Sequence, residues 1–323
     1  MVEPQYSLNR REFSKASAFA AVAASSSATS SLIGASKLEE GKSEEDKTTG
    51  YIDAHVHVWT PELQQYPLHE SFKKEDMQPS SFTPEQLFAH CHPSKVERIV
   101  LIQMSFYRFD NSYMLDMMDK HQGVFSGVAV IDENDRPARE MVKLAKQGVR
   151  GFRIRPHDKT PDQWLAGDGM QAMWKAGAKH GLAMCHLIDA KHLGSVDKMC
   201  EQNPDTPVVI DHFARIGVDG KIREQDLAAL CHLARHENVS VKISAYYALG
   251  KKQAPYTDLL PMIKRCIDAY GVERLMWASD GPFQVVDGHE YAPSFNLIKN
   301  ADFLSAGDKD WLLRRTAERV FFS

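Results

Sequence analysis

Short apolar runs and longer amphipathic segments alternate along residues 51–323. The runs are rich in Val, Ile, Leu and Met and are predicted to be β-strands, whereas the segments between them repeat their apolar residues with the period of an α-helix. The eight predicted strands are residues 51–59, 96–104, 124–131, 149–155, 182–188, 207–213, 239–246 and 274–280. The clearest helical segments are residues 111–121, 136–147, 170–180, 222–236, 255–270 and 309–320.

The strand runs are apolar almost throughout, which is typical of parallel strands buried on both faces of a sheet. Eight β/α units over residues 51–323 come close to the roughly 250 residues of a closed barrel. We therefore predict an α/β fold, a single-domain (β/α)8 TIM barrel over residues 51–323. The alternative is an open doubly wound sheet, which is disfavoured because no glycine-rich phosphate-binding loop follows the first strand.

Residues 1–50 differ from the rest of the chain and are left out of the predicted barrel. Arg10 and Arg11 precede a weakly apolar stretch rich in Ala and Ser, a pattern that resembles a twin-arginine export signal. We predict such a signal at residues 1–35, a polar linker at residues 36–50, and a periplasmic location. The alternative is a disordered basic tail. No apolar run reaches the roughly 20 residues of a membrane-spanning helix.

Composition narrows the class of function. The chain is 43% hydrophobic and 25% charged, as in soluble globular proteins, and its net charge of −4 gives no support to binding of nucleic acid or anionic membranes. A small-molecule substrate is the expected partner. The cysteines are irregularly spaced with no CxxC pair, so they are predicted to be buried thiols and not a disulfide framework or zinc site. They are Cys91, Cys185, Cys200, Cys231 and Cys266.

The first predicted strand, YIDAHVHVW, carries the most informative polar pattern. Asp53, His55 and His57 stand two apart, so their side chains point to the same face of a β-strand. Two neighbouring imidazoles on a buried face need partners for their nitrogens, and a divalent metal is the usual partner. The alternative is a pair of buried histidines that are hydrogen-bonded within the protein.

Further polar residues lie at the ends of the other predicted strands. In a (β/α)8 barrel the carboxyl ends of all strands meet at the face where the chemistry takes place, so we expect these side chains to converge. The structural alternatives are a core location for His186, a capping role for His212 and a turn for Asp280. Lys242 and Arg155 could instead pair with acidic loops. The strand-end residues are Gln103, Arg153, Arg155, His186, Asp211, His212, Lys242, Ser244 and Asp280.

Six stretches of the barrel region resemble the amidohydrolase superfamily and, within it, the amidohydrolase-2 branch of lactonases and related decarboxylases. They are DAHVHVW, SFYRFDNSYMLD, GVRGFRIRP, VVIDHFARIG, VKISAYY and LMWASDGPF. The resemblance implies one divalent metal, expected to be zinc. The residues that match the family's metal positions are His55, His57, His186 and Asp280. Arg153 stands on the strand where binuclear members carry a carboxylated lysine, which implies no second metal, and some lactonase members work without any metal.

The expected function is hydrolysis of a small acidic or sugar-derived lactone by attack of water on the carbonyl. The resemblance implies that Asp280 takes the proton from the water and returns it to the leaving ring oxygen, while His212 holds the water or the oxyanion. Arg153 or Arg155 would bind a substrate carboxylate through paired hydrogen bonds. The other predicted substrate contacts are Gln103, Tyr107, Lys242 and Tyr247. The alternatives are non-oxidative decarboxylation by the same residues and an exported binding protein without catalytic activity.

Overall fold

The computed structural model describes residues 50–156 and 159–323. Within these ranges, eight strands pair in chain order into one parallel sheet that curls into a nearly closed barrel, so the predicted (β/α)8 fold is confirmed. The strands are β1 (Tyr51–Val56), β2 (Val96–Ile102), β3 (Phe125–Ala129), β4 (Val149–Ile154), β5 (Ala183–His186), β6 (Val208–Ile210), β7 (Val239–Ser244) and β8 (Leu275–Ala278). The predicted signal (1–35) and all but the last residue of the predicted linker (36–50) lie outside the described residues and stay predictions.

Helices follow the strands, and most of them cover the outside of the barrel. They are α1 (Pro84–Cys91), α2 (Ser112–Lys120), α3 (Pro137–Ala145), α4 (Pro161–Trp164), α5 (Asp168–His180), α6 (Leu193–Gln202), α7 (Glu224–His232), α8 (Leu260–Tyr270), α9 (Tyr291–Lys299), α10 (Ala306–Asp310) and α11 (Thr316–Phe321). The predicted final helix is interrupted, because Trp311–Arg315 between α10 and α11 form a π-helical segment. In the part of the chain that the structure describes, no helix has the length and apolar character that a membrane span requires.

Helix ends follow local sequence signals. At the start of α1, the Thr83 hydroxyl accepts from the backbone N–H of Gln86, and the Gln86 side chain accepts from the backbone N–H of Thr83 at 2.8 Å. Pro84 takes the first helical position, where its missing N–H leaves no bond unmade. At the end of α5, Gly181 adopts a φ of 65°, the left-handed conformation that glycine reaches without a steric penalty. These local interactions fix the residue at which α1 begins and the residue at which α5 ends.

The barrel closes along a seam where β1 meets the end of β8. The backbone N–H of His57 donates to the carbonyl oxygen of Gly281 at 2.8 Å, and the N–H of Asp280 donates to the carbonyl oxygen of His55 at 2.9 Å. The buried carboxylate of Asp53 accepts from the backbone N–H of Ser279 at 2.9 Å. The first and last strands are therefore joined by residues of the predicted site or their immediate neighbours.

Helix α11 crosses the amino-terminal end of the barrel and closes it. Glu318 accepts from Arg98 on β2 at 2.8 Å, and the carbonyl oxygen of Ser323 accepts from Arg150 on β4 at 3.1 Å. The buried ring of Phe321 packs with the apolar interior of the barrel, which stabilises this end by removing apolar surface from water. That interior cluster contains Ile52, Ala54, Val100, Ile102, Val128, Ala183, Cys185, Val209, Met276, Ala278 and Ala317.

Candidate active site

Three buried side chains from the two ends of the sheet meet at the carboxyl end of the barrel. The Nε2 atoms of His55 and His57 lie 3.3 Å apart. The Oδ1 atom of Asp280 lies 3.5 Å from each of these nitrogens. Two imidazole nitrogens and one carboxylate oxygen are ligands that zinc and similar divalent metals prefer. Among the described residues, these three form the only group with metal-ligand spacing, and their donor atoms fit a divalent metal.

The ring of His57 is oriented for such binding. Its Nδ1 lies 2.8 Å from the carbonyl oxygen of Ile102, an acceptor only, so Nδ1 carries the proton and Nε2 keeps its lone pair. Burial and the neighbouring charge of Lys242 hold the pKa of His55 well below its ordinary value, so His55 is neutral. The Nδ1 of His55 lies 3.2 Å from the Lys242 ammonium, which can only donate, and 3.4 Å from Oδ1 of Asp211, which can only accept.

Asp211 is the centre of a buried charge network beneath the histidines. Its Oδ1 lies 3.0 Å from the Lys242 ammonium, and its Oδ2 lies 3.8 Å from the Arg153 guanidinium. Burial opposes ionisation of Asp211, but Lys242, His55 and Arg153 outweigh it and hold its pKa well below the usual range. The network therefore keeps a carboxylate ionised at full burial, behind the ring that carries the metal-ligand nitrogen.

Arg153 places a permanent positive charge beside that nitrogen. Its Nη1 lies 3.3 Å from His55 Nε2, on the side that faces Asp280 and His57. Because a guanidinium has only donors, it and a metal compete for the same lone pair of Nε2. The arrangement can thus supply a positive charge to an approaching carbonyl oxygen or carboxylate through either group.

Asp280 is ionised and has a different neighbour at each oxygen. Burial opposes the charge, but His212, His57 and His55 together hold the pKa of Asp280 far below its ordinary value. The Tyr247 hydroxyl donates to Oδ2 at 2.7 Å, and burial and Asp280 raise the pKa of Tyr247, which keeps it a donor. His212 Nε2 lies 3.7 Å from Oδ2, while its Nδ1 lies 2.7 Å from the Ser244 hydroxyl. Oδ1, which faces the two histidines, is the oxygen placed to accept a proton.

Strained backbone aims several of these side chains. Non-glycine residues at the ends of three adjacent strands adopt the left-handed conformation, which carries a free-energy penalty for residues with a Cβ. After β6 they are His212, Phe213, Ala214 and Arg215, with φ between 52° and 56°. After β7 the residue is Ala245 (φ 57°), and after β8 it is Asp280 (φ 67°). The turns that these residues make bring His212 and Asp280 to face each other.

The structure does not bring His186 into this group. Its ring packs against Trp164 and Trp174, with ring centroids 5.4 and 5.5 Å away, and neither ring nitrogen has a hydrogen-bond partner among the described residues. Burial lowers the pKa of His186 to about 3, so the ring is neutral. The predicted set of four ligands is therefore narrowed to the three that the structure assembles, with His186 in an aromatic environment behind them.

Lys242 is fully buried, and its ammonium lies 3.0 Å from Asp211 Oδ1 and 3.2 Å from His55 Nδ1, so its role as a substrate contact stays a prediction. The polar atoms of Gln103 and Tyr107 support the segment after β2: Gln103 donates to the Asp110 carbonyl oxygen at 2.5 Å, and the Tyr107 hydroxyl accepts from the backbone N–H of Thr60 at 3.3 Å. These bonds do not support a direct contact with substrate. Arg155 donates to the Ser105 hydroxyl at 3.1 Å, and its predicted role stays a prediction.

Asp211 and Ser244 stand at predicted strand ends, and no role was predicted for either residue. Asp211 orders the charges behind His55, and Ser244 fixes the ring of His212. The signal for Asp211 was its position beside His212, directly after three apolar residues of a buried strand. An acid there must be paired, because an isolated buried carboxylate is prohibitively unstable.

The chain is similar in sequence and in fold to known proteins. A family model described as Amidohydrolase matches residues 52–322. The chain is 29% identical over 252 residues to L-fucono-1,5-lactonase of Burkholderia ambifaria, which covers 74% of this chain and 82% of the relative. It is 24% identical over 237 residues to 4-sulfomuconolactone hydrolase of Rhizobium radiobacter, covering 72% and 76%. An amidohydrolase from Burkholderia multivorans, solved with bound zinc, superposes with a TM-score of 0.71 at 19% identity, covering 84% of this chain and 99% of that one.

Proposed function

Because the chain belongs to the amidohydrolase family, we propose that it is a lactonase that opens a small lactone bearing an acidic group. The observation that carries the proposal is the ionised carboxylate of Asp280, whose Oδ1 lies 3.5 Å from the Nε2 atoms of two histidines. A carboxylate held ionised at this position can accept a proton from water. The two relatives named above are both lactone hydrolases, which supports a lactone over other acyl substrates.

The proposed reaction uses the residues of the site in sequence. Asp280 Oδ1 accepts a proton from water as the water attacks the lactone carbonyl, and returns it to the ring oxygen when the C–O bond breaks. Tyr247 holds Oδ2, so that Oδ1 stays directed at the reacting atoms. His212 and Arg153 lie beside the position where negative charge develops on the carbonyl oxygen. A divalent metal, when bound by His55, His57 and Asp280, would polarise the carbonyl and acidify the water.

We propose zinc as that metal. Two imidazoles and a carboxylate are a common protein ligand set for catalytic zinc, which leaves open a position for water. The zinc-bound relative supports the choice. Arg153 gives the site a positive charge of its own, so we propose that activity without metal is reduced but not abolished.

The acidic substrate is proposed from two arginines on one strand. Arg153 and Arg155 stand two apart on β4 or directly after it, so their side chains extend from the same face towards the carboxyl end of the barrel. A guanidinium binds a carboxylate or sulfonate through two parallel hydrogen bonds. One of the relatives acts on a lactone that carries a sulfonate. A neutral sugar lactone, as in the other relative, is the second candidate.

The two alternative functions, a decarboxylase and a binding protein, fit the site less well. A decarboxylase would release CO2 and would need a proton donor to carbon, whereas Asp280 is held ionised and accepts protons. A binding protein would have no use for an ionised carboxylate that faces two imidazole nitrogens. We also propose that residues 1–35 direct export, on the basis of the paired arginines and the weakly apolar stretch that follows them.

The test is a panel of acidic and neutral lactones, with proton release followed in weak buffer and CO2 followed in parallel. We expect one proton per turnover and no CO2. Asp280→Asn should lose the activity, while Asp268→Asn, an exposed acid on α8, should keep it. Release of CO2 would establish the decarboxylase, and no turnover of any lactone by well-folded protein would reject the proposal.

Metal content is tested on protein purified without chelator, by elemental analysis. We expect about one zinc per chain, lost in His57→Ala and kept in the exposed control His180→Ala. If His57→Ala kept the metal content of the wild type, the metal would bind at another site.

A further inference from the structure

We infer that Cys231 and Cys266 are a redox-active thiol pair on the outer face of the barrel, in which Cys231 reacts with a disulfide compound and Cys266 then closes an intramolecular disulfide. The two residues lie on the neighbouring helices α7 and α8. The inference does not depend on the lactonase proposal.

Cys231 lies against the turn of α8 that carries Cys266. The two side chains are near enough for each to shift the pKa of the other. The Sγ of Cys231 also lies 3.7 Å from the carbonyl oxygen of Arg265, the residue directly before Cys266. A salt bridge between Arg265 and Glu224, at 3.2 Å, links the same two helices. A disulfide between the two sulfurs therefore joins elements that are held together in the reduced protein.

Cys231 is the accessible member of the pair. All five cysteines are free; Cys91, Cys185, Cys200 and Cys266 are buried as predicted, whereas Cys231 is only half-buried. The hydrogen bond from Cys266 and the nearby Arg265 charge lower the pKa of Cys231 to about 7. Burial raises the pKa of Cys91, Cys185 and Cys200 to about 12. The thiolate is the attacking form, so reaction begins at Cys231.

The reaction balances as thiol–disulfide exchange. The Cys231 thiolate attacks one sulfur of a compound RSSR, forms a mixed disulfide, and releases RS⁻, which takes up the proton that the Cys231 thiol lost and leaves as RSH. Cys266 then attacks the Cys231 sulfur, its proton goes to the leaving thiolate, and a second RSH departs. The protein loses two hydrogens and RSSR gains them. The new bond spans the 35 positions from 231 to 266. Such a cross-link should raise Tm by roughly 5 °C.

The experiment treats the full chain with oxidised glutathione near pH 7 and maps its cysteines by mass spectrometry without reduction. We expect a linked Cys231–Cys266 peptide and a higher Tm that reductant reverses. Cys266→Ser should stop at a glutathione adduct on Cys231, and Cys231→Ser should give neither product. Cys200→Ser, the matched control in α6, should behave as wild type.

A second measurement needs no variant. In native wild-type protein near pH 7, iodoacetamide should label Cys231 at least about tenfold faster than Cys91, Cys185 or Cys200. Equal labelling of all thiols, first reaction at a cysteine other than Cys231, or a glutathione adduct that persists at Cys231 in the wild type would overturn the inference.

Discussion

The two ends of the barrel are built from opposite kinds of interaction. At the amino-terminal end, Phe321 and Ala317 of α11 pack on an apolar interior. At the carboxyl end, Asp211, Lys242 and Asp280 are buried charged groups. Apolar burial stabilises a fold directly, whereas buried charges stabilise it little unless they are paired with good geometry. The apolar packing of the amino-terminal end therefore contributes to stability, whereas the carboxyl end carries the candidate chemistry.

The backbone shows the same contrast. The run of left-handed residues from His212 to Arg215 follows β6, and Ala245 and Asp280 follow β7 and β8, all at the end with the charges. Strain of this kind persists only where surrounding structure holds it, and it collects at functional sites.

Lys242 joins the two ends. Its ammonium lies 3.0 Å from Asp211 above it and 5.3 Å from the ring centroid of Phe321 below it. The helix that closes the amino-terminal end thus packs directly on a member of the charge network behind His55.

Asp280→Asn, at the carboxyl end, should give the largest effect on activity with little effect on stability. We expect kcat/KM to fall by about 10³-fold, because the amide cannot accept the proton of water, while stability is little changed. The measurement is lactone hydrolysis together with urea unfolding. If the fall in kcat/KM could be explained by a lower fraction of folded protein, catalysis and stability would not be separated between the two ends of the barrel.

Phe321→Ala should show the reverse pattern. Removing a buried aromatic ring should lower the free energy of unfolding by about 4 kcal/mol, and kcat/KM of the remaining folded protein should change by less than about tenfold. Urea unfolding checks the first value. Phe109→Ala is the matched control, since Phe109 is 46% exposed, and it should cost less than about 1 kcal/mol.

Lys242→Met tests the connection between the ends. It leaves Asp211 without its closest cation, and we expect a loss of about 3 kcal/mol in the free energy of unfolding together with weaker metal binding. The double variant Lys242→Met, Asp211→Asn removes both charges and should recover part of the stability. No recovery would show that Lys242 acts by packing on Phe321 alone.

The pH profile gives the smallest effect. The pKa values of Asp280 and His212 are both below their ordinary values, so Asp280 stays ionised and His212 stays neutral as pH falls. We expect kcat/KM to change less than about twofold between pH 5.5 and 7.5, and to fall only below that range. An acid limb near pH 6.5, with the fold intact by circular dichroism, would show that a histidine titrates at its ordinary value.

Much of this arrangement follows from rules that act locally. The strand count, the parallel barrel and the meeting of His55, His57 and Asp280 follow from apolar runs and from the position of polar residues at strand ends. His186 also stands at a strand end, yet its ring environment depends on Trp164 and Trp174 from α4 and α5, and no spacing rule states how a crossover packs.

Depth along the strand determines the contacts of Lys242. It lies two residues before Ser244, the last residue of β7, and so one layer deeper in the barrel than the residues that face substrate. Its ammonium could be assigned only once the register was known, because Lys242 pairs with Met276 in the middle of β8.

The seam between β1 and β8 has a consequence for the order of folding. Asp53 and Ser279, which bond across it, are 226 positions apart in the chain. Contacts between such distant residues form late, since the chain between them must be ordered first. His55, His57 and Asp280 take their places only when that seam forms, so every folding intermediate with an open barrel is inactive. Recovery of activity during refolding should therefore lag behind recovery of helix signal.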